Sequence, residues 1–256
     1  MKQNLFTAAA FLAAFAFLAL ALAAPLPLME QSDQVLYTQV MTRQLADDGR
    51  SAQARSNEFA RQLYDRDQLL RVKNYAGAIL QTTTAEIEAA APYRLYDFLQ
   101  QLDFWSSENQ AELEQQISQA QRWETISDSV GFSAWRVYTM WEDAEWVELE
   151  WELSAQDRLV RLRMMTEQEY TWEDLEHMMD EYLAATGLEE IDDWQAVDVA
   201  PQFYVAEEIT ATLRARYSPG AKLYLYANYV DGVLALGVCP LEQEELAQFG
   251  ASLMEE

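Results

Sequence analysis

The segment "KLYLYANYVDGVLALGVCP", residues 222–240, constrains the fold more than any other stretch of the chain. Two apolar runs of period two meet at Asp231-Gly232, a dipeptide that accepts the positive φ angles of a type-I′ turn. Pairing Val230 with Val233 puts Leu223, Leu225, Ala227 and Tyr229 on one face with Leu234, Leu236 and Val238. The chain therefore contains an antiparallel hairpin with a dry face, and other elements must cover it.

A second period-two region is "SAWRVYTMWEDAEWVELEWEL", residues 133–153, followed by "RLVRLRMM", residues 158–165. It reads as three strands, near 132–141, 146–153 and 159–165. If Leu153 pairs with Arg158, then Trp151 faces Val160, Leu149 faces Leu162 and Val147 faces Met164. Glu150 then meets Arg161 and Glu148 meets Arg163, which predicts a solvated face of paired charges opposite an apolar one. If Glu142 to Glu145 form the turn, Trp141 pairs with Trp146, and Trp135 shares their face beside Glu148 and Glu150.

The remainder reads as helical. Leu69, Val72, Ala76, Ile79 and Leu80 make one stripe; Leu95, Leu99, Leu102 and Trp105 make another after Pro92. Ser107 with Gln110 and Thr171 with Asp174 are capping-box pairs, and Gly187 is a stop for the second helix. Further helices are expected near 203–217 and after Pro240. The fold class is α+β: an N-terminal helical segment, then an antiparallel sheet of about five strands with packed helices. The expected organisation is a signal peptide or membrane anchor at 1–28, a helical region at 30–125 and an α+β domain at 126–256. The order helix, strands, helix occurs twice, at 107–187 and 203–254, which raises an internal repeat as an expectation.

Residues 5–24 form a 20-residue apolar run after Lys2, long enough to span a bilayer, with Ala21-Leu22-Ala23 as a small-x-small cleavage site and Pro25 beside it. Cleaved or retained, it places residues 30–256 outside the cytoplasm, since Lys2 stays inside. One cysteine, Cys239, excludes an internal disulfide, and an exported chain of this kind fits a bacterial envelope. The net charge of −26 repels nucleic-acid phosphates and anionic headgroups. Its acids are uneven: residues 30–73 carry seven acidic and seven basic side chains, and 74–256 carry 36 against nine.

No nucleophile elbow, phosphate loop or zinc-protease motif is present, and no cofactor is implied. Glu173, His177 and Glu181 fall at i, i+4 and i+8, but a wet helix face of acids explains them without a metal. Glu189, Glu190, Asp192 and Asp193 lack the spacing of a calcium loop. The expected function is an exported or membrane-tethered extracytoplasmic protein, a non-enzymatic binding or structural module for a protein or cell-envelope component. The alternative is a carbohydrate-binding or glycosidase-like protein. It would use Trp135, Trp141 and Trp146 as stacking platforms with Glu148 and Glu150 as polar partners.

Overall fold

A computed structural model describes residues 49–73, 79–81, 85–128, 130–141, 144–199, 211–249 and 251–253. The apolar run at 5–24 and the helical reading of residues 31–48 lie outside them. Five helices follow in chain order: α1 (Ala52–Ser56), α2 (Glu58–Lys73), α3 (Ala85–Leu99), α4 (Ser107–Ser118) and α5 (Trp172–Thr186). Eight strands have five to ten residues: β2 (Arg122–Ser127), β3 (Ser133–Trp141), β4 (Ala144–Leu153), β5 (Leu159–Met165), β6 (Gln195–Val199), β7 (Ala211–Ser218), β8 (Leu223–Val230) and β9 (Val233–Pro240). Three-residue strands β1 (Ile79–Gln81) and β10 (Ala251–Leu253) finish the edges. All belong to one antiparallel sheet, ordered β1-β2-β3-β4-β5-β9-β8-β7-β6-β10. The mixed α and β class holds, with more strands than the five expected.

The β8–β9 hairpin forms as its sequence dictates. Val230 pairs Val233, Tyr229 pairs Leu234 and Ala227 pairs Leu236, with Asp231 and Gly232 at φ 48° and 77°. The second capping box also forms: Thr171 accepts from the Asp174 amide, Asp174 accepts from Thr171, and Gly187 closes α5 at φ 75°.

The β4–β5 register differs from the expected one by two residues. Trp151 pairs Leu162, Leu149 pairs Met164, Glu150 pairs Arg163 and Glu152 pairs Arg161. A bulge between Glu152 and Leu153 lets Leu159 and Val160, consecutive in sequence, both reach the core at 0% and 4% exposure. A two-residue slip conserves the facing of every side chain, so complementary chemistry could not distinguish the two registers.

Helices cover both faces. On the face of Trp151, Leu162, Leu236 and Ala227 lie α3, α4 and α5, and the main core includes Leu95, Leu99, Leu113, Met178, Met179 and Tyr182. Tyr182 Oη donates to the Leu159 carbonyl at 2.6 Å, fixing α5 to the central strand. On the other face α2 sends Arg66 to Glu152, and Arg71 to Glu245 in the 3-10 segment Gln243–Phe249. Beneath that segment is a smaller core of Val197, Ala215, Tyr217, Tyr224, Leu241 and Leu246.

Several expected elements are corrected. Residues 211–218 are a strand rather than helix: β7 turns Arg214 and Arg216 toward Glu176 and Asp180 of α5, and Ala215 and Tyr217 toward the smaller core. After Pro240 come a 3-10 segment and β10, not an α-helix. Ile79 and Leu80 belong to β1, beyond the end of α2 at Lys73. Pro92 lies inside α3 rather than in its first turn, and Ser106, not Ser107, caps α4. β2 straddles residue 125, and one core joins residues from both sides of it. The expected repeat also fails, because α5 and the 3-10 segment after β9 cover opposite faces of the sheet.

Candidate functional site

The residues read as a binding face are divided between two faces of the sheet. Trp135 pairs Trp151, and their rings stack at 5.5 Å with an interplanar angle of 18°. Trp123 meets Trp151 edge-on at 5.7 Å. This trio belongs to the helix-covered core, with Trp135 only 2% exposed. A buried indole removes ~150–250 Å² from water, about 4–6 kcal/mol at 25 cal/mol/Å² as an upper bound. Trp135 is a core residue, not part of an open stacking face.

Its placement follows from register. β3 ends at Trp141 and β4 begins at Ala144, so Trp141 pairs Ala144, and Trp146 pairs Thr139 rather than Trp141. A bulge at Val137/Tyr138 makes Glu148 the extra residue of β4. Together they shift Trp135 by one residue relative to the expected pairing, which moves its side chain to the opposite face. The side chains of Trp141 and Trp146 lie outside the described residues. Glu148 is half-buried, with no ion-pair partner among the described residues.

Glu150 belongs to a ladder of ion pairs across the other face. Glu124 accepts from Tyr138 Oη at 2.7 Å and lies 3.5 Å from Arg136. Arg136 lies 3.4 Å from Glu150 Oε2, and Glu150 Oε1 lies 2.8 Å from Arg161. Arg161 continues to Glu152 Oε2 at 2.9 Å, close enough for charge attraction though its N–H is not aligned as a hydrogen bond. Arg66 of α2 takes Glu152 Oε1 and reaches Asp128 at 2.7 Å. The face is less solvated than expected: the Glu150 and Glu152 side chains are 14% and 5% exposed. Both oxygens of each carboxylate already face a guanidinium.

Gly237 makes this ladder possible. A Cβ there would lie 2.8 Å from both Arg161 Cβ and Tyr226 Oη, so the bare backbone lets those side chains meet above it.

His177 is exposed and lies 2.7 Å from Glu181, whose other oxygen accepts the Phe104 amide at 2.9 Å. Those groups are used between α5 and the α3–α4 connection. Asp193 accepts from Ser218 Oγ and, at 2.6 Å, from the Gly220 amide, so it shapes the β7–β8 turn. Cys239 is half-buried against the smaller core, and desolvation pushes its thiol up to about 12, away from nucleophilic use.

A cleft of about 240 Å³ opens between α3, the β4–β5 turn and the C-terminal end of α5. Arg94, Asp97 and Phe98 line it from α3; Gln156, Asp157 and Arg158 line it from the turn; Ala185 closes it from α5. Arg94 stands 5.4 Å over the Trp135 ring and holds Asp157, Nε to Oδ1, at 2.5 Å. Arg158 donates to the Thr186 carbonyl at 3.2 Å, in the last turn of α5. Asp157 adopts φ 60°, a left-handed conformation that an aspartate tolerates at a turn. No periodic pattern marks these residues in sequence, since they converge only through the hairpin and two helices. Compared with known proteins, the chain matches no family model, no curated sequence and no solved structure.

Proposed function

We propose that the chain is an exported or membrane-tethered extracytoplasmic protein acting as a non-enzymatic binding module for a protein or cell-envelope component. The observation that supports this reading is the engagement of the inner sheet carboxylates. Glu150 and Glu152 each spend both oxygens on arginines of the same face, so they act as fixed framework rather than groups free to exchange protons with a substrate. The carbohydrate alternative loses Trp135, which is stacked in the core. Nothing among the described residues favours it over binding.

Export rests on residues 5–24, outside the described residues; among the described ones no helix is long and apolar enough to cross a membrane. Fractionation of cells with N-terminal sequencing tests it. The chain should be recovered in the envelope or outside the cell, beginning at Met1 or just after the apolar run. Recovery in the cytosol would overturn the proposal. For the activity, purified protein should leave chromogenic glycosides intact. Turnover that disappears in Glu150→Gln or Glu152→Gln would establish the enzymatic alternative instead.

A further inference from the structure

We propose that the cleft between α3, the β4–β5 turn and α5 binds a small amino-acid-like zwitterion, with Arg158 taking its carboxylate and Asp97 its ammonium group. The proposal rests on the non-enzymatic binding reading and goes beyond it in naming a small ligand. Four charged side chains line the cleft: Arg94, Asp97, Asp157 and Arg158. Arg94 and Asp157 neutralise one another, and Arg94 is further seated over Trp135. That leaves one charge of each sign.

Arg158 makes one side-chain hydrogen bond, from Nη1 to the Thr186 carbonyl, and has no carboxylate partner among the described residues. The partial negative charge at the C-terminal end of α5 holds the guanidinium in place, while its remaining N–H groups keep the fork that fits a carboxylate. Asp97 is exposed on α3 and has no cationic partner among the described residues. Phe98 and Ala185 give the cleft an apolar wall, and Gln156 is braced by Glu58 at 2.7 Å.

Size and net charge narrow the ligand further. At about 240 Å³ the cleft lies below the roughly 300–1,000 Å³ of pockets for drug-sized ligands, so its occupant is small. Its charges sum to zero inside a molecule of net charge −26. A simple anion approaching Arg158 meets the repulsion of the whole molecule, whereas a zwitterion does not.

Calorimetric titration of the full-length protein tests this with alanine as the probe. Acetate, methylammonium and inorganic phosphate serve as half-ligands. Alanine should bind saturably, acetate at least tenfold more weakly, and methylammonium and phosphate not measurably. Arg158→Gln should weaken alanine at least tenfold, with Arg158→Lys recovering part of the loss. Because Arg158 also braces α5, Asp97→Asn at an exposed position provides a second variant: it should erase the preference for alanine over acetate at unchanged melting temperature. Absence of saturable alanine heat overturns the proposal. So does phosphate or acetate binding as tightly as alanine, or an unchanged alanine affinity in both Arg158→Gln and Asp97→Asn. Any of these alongside correct export and intact glycosides would remove the ligand assignment and leave the binding-module reading standing.

Discussion

At the scale of single residues, tryptophans and a glycine set what this sheet can carry. Trp135 and Trp151 stack inside the core, while Trp172 at the start of α5 is 53% exposed beneath the Arg214 guanidinium. Trp135→Ala should therefore destabilise by about 3–5 kcal/mol. Trp172→Ala should stay within about 0.5 kcal/mol. Urea unfolding measures both, and equal effects would contradict the burial of Trp135. Gly237→Ala is the more specific probe of the ladder. Its new methyl meets Arg161 Cβ, Tyr226 Oη and the Val160 carbonyl, all within 2.9 Å. The clash should lower stability by about 1–3 kcal/mol with the denaturant slope unchanged. An unchanged midpoint would mean that the two side chains part freely. The tryptophan facing is also where the sequence was least legible. Alternation shows that Trp135 and Trp141 have equal parity, but a β3–β4 connection two residues shorter than expected and a one-residue bulge at Glu148 decide which face that parity names.

At the scale of elements, α2 is held by Phe59, Ala60 and Leu63 in the main core and, further along, by charge. Arg66 lies between Asp128 and Glu152, whose side chains are each 5% exposed, with its own ring contact to Phe132 at 4.4 Å. Arg66→Gln leaves two buried carboxylates short of a cation and should cost about 3 kcal/mol. In a double-mutant cycle Glu152→Gln should cost less on the Arg66→Gln background than alone, because the pair has already been broken. Strict additivity in denaturant midpoints would show that Arg66 and Glu152 do not couple. No sequence pattern pairs residue 66 with residue 152; only the crossing of α2 over the sheet does so. By contrast, the β8–β9 hairpin and α5 were fully legible, since Asp231-Gly232 and the Thr171/Gly187 caps are local signals with one solution. β7 was not. Its Ala, Leu and Arg residues favour a helix, and the pairing of Arg214 and Arg216 with the acids of α5 overrides that preference. The cleft was illegible for the same reason as the ladder: Asp97 and Arg158 come from elements about 60 residues apart.

At the scale of the whole molecule, burial of phenols and a thiol ties stability to pH on both sides of the sheet: Tyr170 and Tyr182 in the main core are pushed up by desolvation, as are the groups of the smaller core. The smaller core holds Tyr217 and Tyr224 with Tyr226 and Cys239 packed against it. Burial pushes both Tyr217 and Tyr224 from 10.0 to about 12, raises Tyr226 further and moves Cys239 from 9.0 to about 12. Each group is neutral in the folded state over a range where the unfolded chain would already have lost its proton. The folded state then binds more protons than the unfolded one, so stability falls as pH rises. That contribution is complete below pH 9 and disappears between about pH 9 and 12. Urea midpoints should accordingly hold steady from neutral pH to 9 and decline above it, together with the rise of tyrosinate absorbance. Cys239→Ala should delay the onset of the decline, because the first group to titrate in the unfolded chain has been removed. Native protein should leave Cys239 unreactive toward a thiol reagent until urea unfolds it. A midpoint that stays flat through this range, or a thiol that reacts in the folded state, would show that the 3-10 segment Gln243–Phe249 does not seal this side of the sheet.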